Sequence, residues 1–496
     1  MHRKILVCRL LCLLLLCSIL VGCSPPPPLV DLEEEPGTST GTAEAGTVQQ
    51  ENQPAGETVS TEEPASTPEP ETVKLSGGEY RADQESLTAV VTPEDLALLT
   101  EVPNLKTADF RGSDCQEDLI AWALAHPEVS VRCEARLPDG TLLAADTAEL
   151  DLTGTEDLTG LTALCLLPDL RTVELGSCRD AAESGMNWES LAAAEAACPW
   201  AEFRYAFRLY GKDFTLQSTE MDLNHIAMSD EGALVKKVTA CMPQLGYLDM
   251  DFCEVSDEAM AEIRDSLPQT EVVWRIWFGN GKRGGYSVRT DVTRILASNP
   301  DRGGELTPEQ SKSLQYCTKV KYLDLGHNNA LVDLSFIRCM PDLEVAILAM
   351  GGFHDISPLA DCPKLEYLEL QTSGVSDLRP LAELKNLRHL NLCHCFCLTD
   401  ITPLYGLEDL ERLYLGKYDP VAPEQIAEMQ KRAPNCEINV TTEDPTGETW
   451  RYTGTDAGGH GILHPRYALL YEQFNYGAAP YCYSYLTNDP LYNPHK

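Results

Sequence analysis

The stretch LEYLELQTSGVSDLRPLAELKNLRHLNL, residues 365–392, contains one apolar pattern twice. Its leucines form two matching sets, which are Leu365, Leu368 and Leu370, then Leu387, Leu390 and Leu392. Apolar residues that alternate over a short run predict a strand with one buried face. One strand cannot bury that face alone, so the pattern predicts neighbouring strands stacked beside it.

Five such runs follow one another in the C-terminal half of the sequence. At spacings of 23, 22, 22 and 23 residues, they begin at Val320, Leu343, Leu365, Leu387 and Leu410. The order L-x-x-L-x-L-x-x-N/C is the leucine-rich repeat signature, and residues 314–440 resemble internalin-type leucine-rich repeats. That resemblance implies an α/β fold, a solenoid with a parallel sheet on its concave face.

Short motifs that begin with aspartate separate these runs. They are DLSFI (333–337), DISPL (355–359), DLRPL (377–381) and DITPL (400–404). Aspartate can cap a turn, and proline presets the backbone angle near its start. We therefore expect short turns or 3₁₀ segments on the convex side of the solenoid.

Residues 74–313 follow a longer and less regular plan. Three stretches, 118–137, 191–209 and 255–276, each read as an amphipathic helix, a proline and an alternating strand. A glycine-bearing turn and a second strand follow each of them. We expect irregular leucine-rich-like repeats, much longer than those of the C-terminal half, with inserted β-hairpins. The alternative is a separate α/β domain packed before the regular solenoid.

The first 23 residues read as an export signal, with basic Arg3 and Lys4 followed by a short apolar run. Their ending, Leu20-Val21-Gly22-Cys23, resembles a bacterial lipoprotein signal. The resemblance implies cleavage before Cys23 and a lipid on its thiol, so that the protein is anchored to the bacterial cell membrane on its extracytoplasmic side. The alternative is an uncleaved amino-terminal anchor.

Two further segments differ in composition from the repeats. Residues 24–73 hold eleven acidic residues and no lysine or arginine, among many Pro, Ser and Thr residues, which predicts a disordered linker. Residues 441–496 are rich in tyrosine and glycine. Because the end of a solenoid exposes apolar core, we expect this tail to be a cap. The alternative is a partner-binding or wall-attaching tail.

The charge of the chain excludes one class of partner. It carries 77 acidic and 38 basic residues, for a formal net charge of -39. Nucleic acid requires a basic surface, so we expect no nucleic-acid partner. A solvated acidic surface that keeps the protein soluble is the simplest interpretation.

No motif predicts a cofactor, a metal or a catalytic group. Four of the nineteen cysteines lie in the predicted signal and lipid site. Seven of the other fifteen occupy recurring repeat positions, which predicts buried free thiols, and these are Cys178, Cys198, Cys241, Cys253, Cys339, Cys362 and Cys395. In LCHCFC, residues 392–397, we expect only Cys393 and His394 to reach the surface, which is too few ligands for zinc. The glycine-rich GNGKRGG, residues 279–285, lacks the Lys-Ser/Thr of a phosphate loop and reads as a hairpin turn.

The candidate site is the strand face opposite the buried leucines. In register, one column holds Tyr322, Val345, Tyr367, His389 and Arg412, and the next holds Asp324, Ile347, Glu369, Asn391 and Tyr414. Aromatic residues and arginine are enriched at binding hot spots. We predict that the ligand-binding residues are Tyr322, Asp324, Tyr367, Glu369, His389, Asn391, Arg412 and Tyr414. The alternative is an ordinary solvated sheet face.

Together these features predict a non-enzymatic cell-surface lipoprotein whose solenoid binds an extracellular protein or glycan ligand. Two alternatives stay open. One is an envelope-associated enzyme or enzyme accessory with its site in the N-terminal half or the tail, which a deep pocket of ionisable residues near 188–290 would favour. The other is a purely structural envelope protein.

Overall fold

The structure is a computed structural model that describes residues 71–155, 158–279, 285–298, 306–446, 450–474 and 476. The chain divides into two units, Met1–Pro68 and Glu69–Lys496, and all described residues belong to the second. The predicted signal peptide, Cys23 and most of the predicted linker lie outside the described residues. The linker prediction runs too far, because Thr72–Leu75 forms a strand in which Val73 is buried.

One parallel sheet runs through the C-terminal half. Its seven strands, in order, are Arg294–Leu296, Tyr322–Asp324, Val345–Ile347, Tyr367–Glu369, His389–Asn391, Arg412–Gly416 and Glu437–Thr442. Leu368, Leu390 and Leu413 share one register column and are fully buried. The predicted stacking of repeats is therefore confirmed. The predicted start of the regular repeats at residue 314 is wrong, because the sheet begins with the strand Arg294–Leu296. Ile295 and its register partner Leu323 are farther apart in sequence than the register partners of later repeats, so the repeat pattern does not reveal this strand.

Short 3₁₀ helices connect these strands and pack against one another in order. They span Lys312–Tyr316, Ser335–Cys339, Ser357–Asp361, Arg379–Leu381 and Thr402–Gly406. In four of these turns an aspartate carboxylate accepts the backbone N–H two residues on, which occurs at Asp333, Asp355, Asp377 and Asp400. The predicted turns and their aspartate caps are confirmed.

The N-terminal half contains three smaller groups of parallel strands. They are Ser86–Thr88, Thr107–Asp109 and Ser130–Arg132; then Glu149–Asp151, Thr172–Ser177 and Glu202–Leu209; then Glu220–Asp222, Tyr247–Asp249 and Glu271–Val273. An antiparallel hairpin follows or extends each group. The hairpins pair Ala135–Arg136 with Leu142–Leu143, Glu202–Leu209 with Lys212–Thr215, and Arg275–Phe278 with Tyr286–Arg289.

Two more hairpins lie near the ends of the described chain. They pair Thr72–Leu75 with Gly78–Arg81 and Tyr452–Thr455 with Gly461–Leu463. The C-terminal hairpin follows the seven-stranded sheet, as an internal hairpin follows each smaller strand group.

Helices occupy several of the connections between strands and lie near the two ends of the described chain. The α-helices span Pro93–Leu98, Gln116–Ala125, Trp188–Ala197, Ala233–Thr239, Asp257–Ser266, Pro308–Ser311, Pro423–Arg432 and Pro465–Gln473, and further 3₁₀ helices span Leu99–Glu101 and Leu161–Leu166. Pro127, Pro199 and Pro268 each follow the residue that ends a helix, where proline stops its continuation. Among the described residues, none of the helices has the length and apolar character that a membrane crossing requires.

A continuous apolar core runs beneath the strands and includes most of the thiols. Of the fourteen cysteines described, all are free and eleven are buried. Buried thiols donate to carbonyls of the preceding repeat, as Cys395 does to Leu370 and Cys253 to Leu223. The expectation that Cys393 reaches the surface is wrong, because the turn at Asp419 folds over it.

Candidate functional site: a strand face and the segment that covers it

The structure brings all eight predicted ligand-binding residues together. The first register column holds Tyr322, Tyr367, His389 and Arg412, and the second holds Asp324, Glu369, Asn391 and Tyr414, as predicted. We call these two columns the strand face. Strand order and register are fixed by the buried leucines, so the positions of these side chains follow from the repeat itself.

The strand face is covered by the C-terminal part of the chain. Seven of its eight predicted residues are buried, and Tyr322 is half-buried. The cover is formed by residues 450–474 and 476, which we call the covering segment. It comprises the hairpin Tyr452–Thr455 with Gly461–Leu463 and the helix Pro465–Gln473. Binding of a ligand by these eight residues stays a prediction, because the covering segment occupies the face in the structure.

Trp450 is the centre of the covered area and is fully buried. Its ring centroid lies 5.4 Å from that of Tyr367 and 5.4 Å from that of Tyr414. The Arg412 guanidinium carbon lies 4.6 Å from the ring centroid, and its Nη2 donates to the Trp450 carbonyl at 3.1 Å. Aromatic pairs and a cation over an indole each add to the energy of burial. Trp450 is thus held by two rings and a guanidinium.

Glu369 is the buried acid to which the covering segment binds. Its carboxylate accepts hydrogen bonds from Trp450 Nε1 at 2.8 Å and from Arg451 Nη2 at 2.8 Å. Gln371 and Tyr367 donate to the same carboxylate at 2.7 and 2.5 Å. Burial alone raises the pKa of Glu369, but the attraction of Arg451 and these hydrogen bonds leave the pKa below its ordinary value. Glu369 is therefore an ionised, fully paired acid.

A second anchor lies at the other end of the covering segment. The Tyr476 hydroxyl donates to the Asp324 carboxylate, which also accepts from the Gly326 N–H at 3.0 Å. Arg294 Nη1 donates to the Gln473 carbonyl at 2.5 Å. Burial raises the pKa of Asp324, and these hydrogen bonds oppose the shift only in part. The segment therefore reaches from the sixth strand of the sheet back to the first.

His389 lies among cations under the cover. Burial, followed by the charges of Arg412, Arg466, His464 and Arg388, lowers the pKa of His389 to about 3. Its Nε2 lies 3.6 Å from the Glu411 carboxylate, and its Nδ1 has no hydrogen-bond partner in the structure described. The imidazole is therefore neutral at physiological pH.

Three ionisable groups of the strand face, Glu369, Asp324 and Arg412, are engaged in bonds that hold the segment in place. Glu369 and Asp324 are saturated by donors from the covering segment and the turn, and His389 is neutral. Among the described residues, no three His, Cys, Asp or Glu side chains are grouped to hold a metal ion. What this arrangement can do chemically is bind a polypeptide through aromatic packing and charge-assisted hydrogen bonds.

A cleft of about 670 Å³ lies within the region 188–290, where a pocket of ionisable residues would favour an enzyme. It is lined by His225, Phe252, Glu254, Asp257, Arg275 and Trp277, among others. Arg275 is bound by Asp251 through two hydrogen bonds of 2.8 and 2.9 Å. Asp257 accepts from Trp274 Nε1 at 3.0 Å and from Ser313 Oγ at 2.6 Å. Arg275 and Asp257 are thus held by bonds within the fold, and the enzyme alternative stays untested.

The functional residues that the sequence does not reveal are Trp450, Arg451 and Tyr476. They belong to the predicted tail, which was expected to cap the end of the solenoid. One signal was present in the sequence: Asp324 and Glu369 form an acidic column that needs cations, and the tail supplies the pair Trp450-Arg451. Pairing a strand acid with an arginine eighty-two residues later has no local signature.

Comparison with known proteins gives structural likenesses alone. No protein-family model matches the sequence, and no curated protein matches it. Internalin C2 from Listeria monocytogenes is 17% identical, with 46% of this chain and 76% of that chain covered at a TM-score of 0.24. A leucine-rich repeat protein from Leptospira interrogans is 15% identical, with 69% and 91% covered at 0.26. The functional domain of InlJ from Listeria monocytogenes, which includes a cysteine ladder, is 13% identical, with 73% and 66% covered at 0.24.

At these TM-scores the likenesses carry no argument about this chain. Its class is defined by its own repeat spacing and strand register: a leucine-rich repeat solenoid with a parallel sheet.

Proposed function

We propose that this protein is an extracytoplasmic recognition protein that binds a protein ligand on its strand face and performs no chemistry of its own. The observation that carries the proposal is the set of contacts by which the sheet binds Trp450 and Arg451. There the sheet already holds a stretch of polypeptide through two rings, a guanidinium and a buried carboxylate. A protein ligand is favoured over a glycan because the groups that the face binds are an indole, a guanidinium and backbone carbonyls.

Anchoring to the cell membrane by a lipid on Cys23 is part of the same proposal. It is supported by the order Leu20-Val21-Gly22-Cys23 after an apolar run, and by the acidic linker that follows. We expect Cys23→Ala to move the protein from the membrane fraction to the medium or the soluble fraction and to abolish metabolic labelling with a palmitate analogue. A Cys23→Ala protein that is still labelled and still membrane-bound would show that the anchor lies elsewhere.

The recognition role is tested by capture of ligands with the full-length protein. Photo-crosslinking on intact cells of the native environment, followed by mass spectrometry, identifies what the wild-type protein contacts. In a protein whose Trp450 and Arg451 are both replaced by alanine, the chain's own segment no longer competes for the Glu369 carboxylate. There, Glu369→Gln keeps the shape of the side chain and removes the charge, so we expect at least tenfold less of the captured protein. Arg379→Ala is the control, because the Arg379 side chain is 83% exposed and bonds to Asp377 on the convex turn. Equal capture with and without Glu369→Gln in that double-alanine protein would remove the strand face from the proposal.

A further inference from the structure

We infer that the covering segment is an intramolecular ligand of the strand face, and that the partner displacing it is a polypeptide presenting an aromatic residue followed by arginine. This inference rests on the proposed function and specifies both the partner and the regulation of the same face. The closed structure is then the resting state, and recognition requires exchange of one polypeptide for another.

The position of the segment separates it from a terminal cap. A cap covers the open end of a solenoid, where the last strand would otherwise expose its edge. Here the last strand, Glu437–Thr442, is exposed or half-buried at all six positions. The segment instead bonds to earlier strands, through Arg294, Asp324, Glu369 and Arg412. Among the described residues, the segment therefore occupies the strand face and not the end of the sheet.

An internal hairpin binds a strand acid through the same kind of arginine–carboxylate pair, but its own strand is more deeply buried. Arg289 of the hairpin Arg275–Phe278 with Tyr286–Arg289 donates to the strand acid Asp249 at 3.0 Å, as Arg451 does to Glu369. The strand Tyr286–Arg289 is buried at all four positions, and the chain continues from it into the first strand of the seven-stranded sheet. No further solenoid strand follows the C-terminal hairpin in the described residues.

The exposed side of the C-terminal hairpin is what permits release. Its strands Tyr452–Thr455 and Gly461–Leu463 are exposed or half-buried at every position. The segment is thus fixed by Trp450-Arg451, by Tyr467 and Leu470 of its helix and by Phe474 with Tyr476, and the exposed hairpin follows the first of these contacts. Parts of a chain with few buried contacts open most readily, so opening is expected to begin at this hairpin.

The first anchor defines the chemistry of the displacing partner. Trp450 and Arg451 are consecutive, and both donate to the one carboxylate of Glu369. A partner must therefore supply an aromatic ring for the space between Tyr367 and Tyr414, and a cation one residue later. It competes with a tethered segment whose effective concentration is on the order of millimolar. Its apparent affinity is reduced by the small fraction of molecules that are open.

The test uses a fluorescein-labelled peptide of residues 450–476 and the full-length protein. Trp450→Ala with Arg451→Ala removes the first anchor from the chain but leaves the face intact. We expect this double variant to bind the peptide at least tenfold more tightly than the wild type in fluorescence anisotropy. Adding Glu369→Gln should weaken that binding at least tenfold. Trp200→Ala with Arg204→Ala, a half-exposed or exposed pair away from the face, is the matched control and should bind as the wild type does.

Hydrogen exchange of the same proteins shows whether the sheet stays folded in the double variant. If the double variant keeps the protection of amides around Leu368 and Leu390 and yet binds no peptide, the segment is not a ligand and the inference is overturned. If the variant loses that protection throughout the sheet, the segment is a structural cover, which also overturns it. Crosslinking on cells tests the proposed function separately, because peptide binding does not depend on any natural partner.

Discussion

Replacing Arg451 with leucine is expected to release the covering segment, because it leaves Glu369 charged and buried. Glu369 is fully buried, and Arg451 Nη2 lies 2.8 Å from its Oε2. Tyr367, Gln371 and Trp450 still donate to the carboxylate in the variant, but none of them carries a charge. Water can reach Glu369 once the segment has left, so opening relieves the cost of the unpaired charge.

The magnitude follows from the geometry of the pair. At 2.8 Å, two unit charges attract by about 6 kcal/mol at an effective dielectric constant of about 20. Removal of one partner of a buried pair costs roughly 3–5 kcal/mol. Because the Arg451 side chain is 24% exposed, the lower figure of about 3 kcal/mol applies. That corresponds to a rise of about a hundredfold in the ratio of open to closed molecules.

Hydroxyl-radical footprinting measures this opening at individual side chains. Trp450 is 0% exposed when the segment is docked, so its oxidation rate should rise strongly in Arg451→Leu at pH 7. Hydrogen exchange in the helix Pro465–Gln473 should rise with it. Arg379→Leu removes an exposed arginine of the convex turn and should change neither.

The pH dependence of the variant provides a sharper check. In the wild type the pKa of Glu369 is lowered, so its contribution to stability is present above the unfolded value of 4.5 and is lost as the pH falls below it. Without Arg451, burial raises the pKa of Glu369, and docking should recover as the pH falls from 7 to 5. Adding Glu369→Gln to Arg451→Leu should restore docking at pH 7. Equal Trp450 oxidation in Arg451→Leu and wild type at pH 7 would refute the reasoning.

Two further changes probe the solenoid itself. The pKa of His389 is lowered to about 3 by burial and by nearby cations. The stability of the wild type should therefore fall as the pH drops below the unfolded pKa of about 6.5. In urea titrations, His389→Gln should lose less stability than the wild type between pH 7 and 4.5. A Cβ on Gly352 would overlap the backbone oxygen of Asn329, whereas one on Gly374 would meet the movable ring of His354. Gly352→Ala should therefore cost more stability than Gly374→Ala, by roughly 1–3 kcal/mol, and equal denaturation midpoints would contradict this.

The strand face could be predicted because its information is local and repeated. The alternation around Leu368 and Leu390, which are register partners one repeat apart, fixes which residues point inward and which neighbours pair. The position of Tyr367 beside His389 follows from that alternation alone. The first strand, Arg294–Leu296, escaped prediction because a longer spacing separates it from the next repeat.

The cover could not be predicted because it depends on contacts without a period. Trp450 and Glu369 are eighty-one residues apart, and no repeat pattern relates them. The tail was expected to protect the end of the solenoid, where apolar burial has most to gain. The segment covers the strand face instead, where Trp450 packs between two rings and Arg451 and Tyr476 donate to Glu369 and Asp324.

The strand Val345–Ile347 lies between the two anchor acids, Asp324 on one side and Glu369 on the other. Strands of a sheet are about 4.8 Å apart, so the two acids are held about 10 Å from each other by backbone geometry alone. This intervening repeat therefore fixes the distance that a stretch of chain must span to bind both acids. Inserting or deleting one repeat here would change that length by a single strand spacing, and only a segment altered to match could still satisfy both ends.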